Sequence, residues 1–132
     1  MADSAAARIS IYDRMVAEWS TGNGDLTAEG EQYEPDGTAY VRLMVRHDTS
    51  AQRSHGTLRR FRRPGRIIVQ CYSPSGEGVN ALDTMQDLVR AIFEGVSFDD
   101  IDTYASTCRE SGEEGGYIRG VVETPFDYDE VK

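Results

Sequence analysis

The stretch Arg63–Gly95, RPGRIIVQCYSPSGEGVNALDTMQDLVRAIFEG, constrains the chain most, because two hydrophobic periods meet inside it. From Arg66 to Tyr72 the period is two. Ile67, Val69 and Cys71 fall on one side and Arg66, Gln70 and Tyr72 on the other, as a half-buried strand requires. The β-branched run Ile67-Ile68-Val69 favours extended backbone. Ser73, Pro74, Ser75, Gly76 and Gly78 break the strand. From Val79 the period lengthens to that of a helix. Val79, Leu82, Met85, Val89 and Ile92 recur three or four apart, with Ala81 and Leu88 widening the stripe. Gly95 supplies the residue that accepts positive φ past a helix end. A strand, a tight turn and a helix lying back on the sheet are therefore expected.

The N-terminal segment predicts another helix, with Ser4 as its N-cap and Ala5–Ala7 as helix formers. Ile9, Tyr12, Val16 and Trp19 form its expected core stripe, with Ile11 and Met15 beside it, and Trp19 as an anchor at the helix end. The turn formers Thr21–Asp25 stop it near Ser20. Leu26–Gly37 reads as an acidic loop with one short edge strand, closed by an Asp36-Gly37 turn. Ala39–His47 alternates as a strand, Val41, Leu43 and Val45 against Arg42, Met44 and Arg46. Gly56–Gly65 reads as the arms and tip of a long exposed hairpin. Later, Ile101–Cys108 and Tyr117–Thr124 are strand candidates around a turn at Ser111–Gly116. Pro125, which has no donor for a ladder, marks the end of the last strand or an edge. The resulting expectation is α+β: a single twisted, mostly antiparallel sheet, two helices packed on one face, and a long basic β-hairpin.

With 132 residues, 39% hydrophobic and 28% charged, the chain fits one domain with its own core, not a disordered segment. No apolar run has transmembrane length, and MADSAAARIS lacks the basic start and apolar stretch of a secretory signal. Cys71 and Cys108 lack metal-site spacing and read as buried free thiols. The net charge of −9 is unevenly placed. Between Arg42 and Arg66 there are eight arginines and one acid, Asp48, for +7. The remainder has six basic and 22 acidic residues, for −16. Such a chain can attract copies of itself or offer a basic patch to an anionic partner.

Candidate chemistry is sparse. His47 and His55 are eight apart across a turn and lack the helical i, i+4 spacing of a zinc pair. Ser73 and Ser75 occupy a strand-to-helix turn without the G-x-S-x-G of a nucleophile elbow. The same turn lacks Gly-Lys-Ser/Thr, and Glu77 would repel an anion there. Turn formation and helix capping account for it. Asp99, Asp100 and Asp102 lack the glycine and terminal glutamate of a calcium loop and read as a solvated connector. No enzyme, metal or cofactor is expected. The arginine run stands out, and Arg53, Arg59, Arg60, Phe61, Arg62, Arg63 and Arg66 are its candidate interface residues. Docking to a protein surface is the first reading. A hairpin kept soluble by its arginines is the second, and phosphate contact is the third, weakened by the acidic surroundings and by a single interleaved aromatic.

Taken together, these segments resemble the phage tail terminator-like (tail completion) proteins of long-tailed phages. The resemblance spans most of residues 1–132. It rests on the N-terminal helix, on Arg62-Arg63-Pro64-Gly65 before Ile67–Tyr72, and on the Pro74–Gly78 turn. The helix through Ala81, Met85, Leu88 and Ile92 and the closing Gly116–Val121 with Pro125-Phe126 complete it. The resemblance implies a structural protein of the virion, assembled in the bacterial cytoplasm, with no catalytic residues. It implies a homo-oligomeric ring, typically a hexamer, at the head-proximal end of the tail. Its partners would be the tail tube protein and a head-completion or connector protein, with DNA passing through the lumen without sequence-specific contact and no membrane. Competing expectations are another neck protein and a nucleic-acid-binding adaptor.

Overall fold

A computed structural model describes residues 4–35, 37–48, 51–52 and 60–131. The helix α1 (Ser4–Glu18) leads to strand β1 (Asp25–Ala28), then β2 (Tyr40–His47), β3 (Ala51–Gln52) and β4 (Arg60–Pro74). Helix α2 (Val79–Phe93) follows, then β5 (Ser97–Phe98), β6 (Ile101–Thr103), β7 (Thr107–Glu114) and β8 (Tyr117–Val131). The sheet runs β1-β2-β4-β8-β6-β5, with β3 added beside β4 and β7 beside β8. Among the described residues only the β1–β2 pair is parallel. The fold is α+β, with both helices against one face of a mostly antiparallel sheet.

The period-two reading of β2 and β4 holds. Val41, Leu43 and Val45 are buried, as are Ile67, Val69 and Cys71 in the facing strand. Val122, Phe126 and Tyr128 extend this inner face along β8, and Leu82, Met85, Val89, Ile92 and Phe93 of α2 cover it. One buried hydroxyl joins the layers. Thr103 Oγ1 donates to the Phe93 carbonyl and accepts from Val96 N–H at 2.8 Å, tying the end of α2 to β6.

Helix α1 is rolled relative to the expected stripe. Ala7, Ile11, Met15 and Trp19 are buried, whereas Ile9 is 60% exposed and Val16 67%. The helix carries two apolar stripes, and polar tethers select between them. Arg8 Nη2 donates to the Val45 carbonyl at 3.3 Å and Arg14 Nε to the Ile92 carbonyl at 2.8 Å, which fixes the roll. Trp19 does anchor the helix end, with its indole N–H donating to the Gly24 carbonyl at 3.0 Å.

The longest departure concerns β4 and β8. Each spans 15 residues, and they pair from Arg60↔Val131 to Pro74↔Tyr117. Arg60–Gly65 therefore belongs to the sheet and not to a hairpin tip. Pro125 does not end the ladder, because of where its backbone points. In antiparallel pairing a residue's N–H and C=O point to the same side. The Pro125 carbonyl accepts from Tyr104 N–H at 3.0 Å, so its nitrogen also faces residues 104–106, the break between β6 and β7. The donor that proline lacks is thus not needed by β4. That break also divides the single strand expected over Ile101–Cys108. Strand β7 continues through the expected turn at Ser111–Glu114 with one irregularity between Glu110 and Gly112, and the chain reverses at Gly115-Gly116.

Candidate interaction surfaces

The arginine run is held by its own chain. Strand alternation puts Arg62 and Arg63 on opposite faces of β4, and β8 supplies acids to both. Arg62 Nη2 lies 2.5 Å from Asp127, and its Nη1 is 3.4 Å from Asp129. The Arg62 guanidinium also donates to the Tyr104 hydroxyl at 3.0 Å, while Tyr104 donates to Asp127 at 2.8 Å. Desolvation is the largest single influence and opposes the charge on Arg62, but Asp127, Tyr104 and Asp129 together outweigh it and hold the guanidinium above its ordinary pKa. The hydrogen bond to Asp127 likewise raises the Tyr104 phenol. Arg63 donates to Glu130 from Nε at 3.0 Å and stacks over the Phe61 ring at 5.0 Å. Arg66 bonds Glu123 at 3.1 Å and sits 3.4 Å from Asp48, and its pKa is raised first by the Glu123 hydrogen bond.

Phe61, Arg62, Arg63 and Arg66 are thus brought together along β4, facing their own β8. Arg60 opens β4 opposite Val131. Arg53 and Arg59 lie outside the described residues, as do His55, Asp36 and most of the expected hairpin tip. The expectation of a protruding basic arm is corrected for Arg60–Arg66, where the acidic C-terminal segment neutralises the strand. A signal for this was present. Asp127 and Asp129 alternate with the period of two that matches Arg62 on a neighbouring strand, but a proline at 125 predicts the ladder's end or an edge before them.

The other candidates resolve individually. Ser73 is fully buried and its Oγ has no hydrogen-bond partner, so it cannot meet a substrate in this arrangement. Capping of α2 by a turn side chain does not occur. Gly78 takes the N-cap position at φ 77° without a side-chain bond. Asp99 and Asp100 both have positive φ, 46° and 67°, and form the two-residue turn of the β5–β6 hairpin, where Asp is tolerated. Among the described residues no three His, Cys, Asp or Glu side chains gather as metal ligands. Cys71 is buried, and desolvation pushes its thiol up to about 12. Cys108, expected to be buried, is exposed on β7.

Two surfaces escaped the sequence reading. The first is the sheet face opposite the helices, which no described element covers. It presents Met44, Ile68 and Val121 at its centre and Arg42, Arg46, Arg66, Arg109 and Arg119 around them, with Glu123, Glu29 and Asp48 as the acids beside them and the Arg62–Asp127–Asp129 cluster farther along the same face. At one end Tyr40 stacks on Tyr72 at 4.4 Å and meets Tyr117 edge-on at 5.4 Å. The second is the outward side of α1, with Ile9 and Val16 exposed around Asp13.

No family model matches the chain, and no curated protein matches it. Among solved structures, one chain whose designation states no function superposes with a TM-score of 0.68. The match covers 97% of this chain and 96% of that one at 13% identity. That likeness establishes a shared fold.

Proposed function

We propose that this is a structural protein of the tail terminator kind, which assembles as a homo-oligomeric ring on the end of a phage tail tube, stops tube growth and offers a surface for head joining. The observation that carries this reading is the distribution of charge and apolar surface in one small two-layer domain. One sheet face is bordered by arginines, and the chain as a whole is at −9. Surfaces of opposite character on opposite sides favour a head-to-tail contact, which closes into a ring when the rotation between copies divides a full turn. The similarity in sequence order to tail terminator-like proteins supplies the specific assignment. Internal pairing withdraws Arg62, Arg63 and Arg66 from the docking set. Arg53 and Arg59, which lie outside the described residues, remain as the arm's candidates, and Arg60 keeps its candidacy for docking from the start of β4.

Light scattering with negative-stain imaging of the same sample tests the ring, with a closed oligomer of uniform mass expected. Particles made without the gene test the role. Overlong tails support a terminator. Normal-length tails beside filled heads point instead to a neck protein. Steeply salt-dependent binding to duplex DNA by the isolated chain would favour the nucleic-acid adaptor.

A further inference from the structure

Resting on the ring reading, we infer which surfaces meet: the open sheet face of one copy docks on the outward side of the helix layer of the next. Met44, Ile68 and Val121 form an apolar strip in the middle of the sheet face, and Ile9 and Val16 form one on α1. The strips lie on opposite sides of the domain, so neither can cover the other within one chain. The charges match in the same sense. Around the strip Arg42, Arg46, Arg66, Arg109 and Arg119 stand against Glu123 and against Glu29 and Asp48, which pair with Arg46 and Arg66, for +2, which leaves −11 for the rest of the chain.

Each of the two surfaces carries a charged residue without an ion pair among the described residues. On the sheet side, Arg42 has no ion pair among the described residues, and its Nε is buried without a hydrogen-bond acceptor. A buried guanidinium nitrogen left unbonded is costly unless something arrives to accept from it. On the helix side, Asp13, Glu18 and Asp83 have no ion pair among the described residues. Asp13 sits between Ile9 and Val16 on the α1 surface, at i+4 from the first and i−3 from the second. A carboxylate framed by two exposed aliphatic side chains is the counterpart of a guanidinium beside Met44. The neighbouring arginines differ from Arg42 in being partly satisfied. Arg46 pairs with Glu29 at 2.5 Å, and Arg109 pairs with Glu123 at 3.0 Å. The contact so defined is heterologous, since each copy gives a different patch to each neighbour.

A mixing experiment on the full chain tests this. One variant breaks the helix side (Ile9→Asp with Val16→Asp), and the other breaks the sheet side (Arg42→Glu with Met44→Glu). All four positions lie outside the buried core, and circular dichroism checks that each variant folds. Arg42→Glu alone serves as the milder sheet-side variant. Each variant alone should run as a monomer where the wild type forms rings. Mixed in equal amounts, they should give a 1:1 dimer and nothing larger, because one intact helix side meets one intact sheet side. Wild-type-sized rings from either double variant, or a mixture that stays monomeric while the wild type forms rings, overturns the interface and leaves the ring standing. A wild-type chain that never exceeds monomer mass, alone or with tail tubes, overturns the ring and the interface together.

Discussion

The two halves of the β4–β8 ladder share one backbone pattern but are held by different physics. From Ile67 to Cys71 the inner side chains of β4 are apolar and fully enclosed beneath α2. From Arg60 to Arg66 the same strand is secured through Asp127, Asp129, Glu130 and Glu123 at its partner's side-chain tips. Burial contributes in proportion to the apolar area removed from water and is not screened by salt. Ion pairs that remain partly solvated contribute little each and weaken as salt rises. The first half should therefore govern whether the chain folds. The second should govern how firmly its end is held.

Truncation in the enclosed half gives the largest expected effect. Leu82 is fully buried on α2 against β8 and lies near Gly120. Leu82→Ala removes apolar contact and leaves a void, so it should cost about 3–4 kcal/mol in denaturant unfolding. A loss within about 0.5 kcal/mol would contradict the enclosure described for this half.

At the seam between the halves stands Gly65, covered by the ring of its cross-strand partner Phe126. A Cβ there would collide with the Phe126 ring and come within 2.5 Å of the Arg46 carbonyl oxygen. A ring can swing aside, but a backbone carbonyl within a ladder cannot move cheaply. Gly65→Ala should therefore destabilise by about 2–3 kcal/mol, read from the shift in unfolding midpoint. Gly120→Ala provides the contrast. Its Cβ would meet the Gln86 side chain, which can adjust at smaller cost. Equal losses at the two glycines would remove the distinction between backbone and side-chain obstruction.

In the charged half, Arg62→Ala should cost about 0.5–1 kcal/mol at low salt, because the Arg62 and Asp127 side chains keep part of their exposure. The sharper reading is hydrogen exchange. Raising salt should speed exchange of amides in Arg60–Arg66 and leave Ile67–Tyr72 unchanged. Uniform acceleration, or none, would show that the two halves are held alike.

The same contrast explains what was legible in the sequence. Alternation from Ile67 to Cys71 is a local signal, and so is the helical stripe from Leu82 to Ile92. Both predict their own burial, and the α+β arrangement follows from covering them. The roll of α1 was not legible, since its two apolar stripes compete. Their choice rests on carbonyls of Val45 and Ile92, distant in sequence. The capture of Arg62 and Arg63 by residues 127–130 was hidden for a similar reason. It depends on a fifteen-residue register running past Pro125, and proline is tolerated there only because its second neighbour is interrupted. The open sheet face has no local marker either, because half-buried Met44, Ile68 and Val121 read like any outward strand positions.

His47 offers the smallest and most specific test of the seam, since it pairs with Gly65 in the ladder and meets Phe126 edge-on at 6.2 Å. Desolvation is the main cause holding its pKa below the ordinary 6.5, with Arg8 adding repulsion and Asp48 opposing both. A histidine whose folded pKa is lowered binds protons more readily when the chain unfolds. Its stabilising contribution is therefore complete above 6.5 and is lost as pH falls from 6.5 through the folded value. His47→Gln should flatten that part of the stability profile while leaving stability at neutral pH nearly unchanged. Arg8→Ala should raise the titration midpoint of His47 in NMR but stop short of the ordinary value, because the packing against Phe126 remains. A His47 that titrates at or above the ordinary value in the wild type would contradict its desolvation beside Phe126.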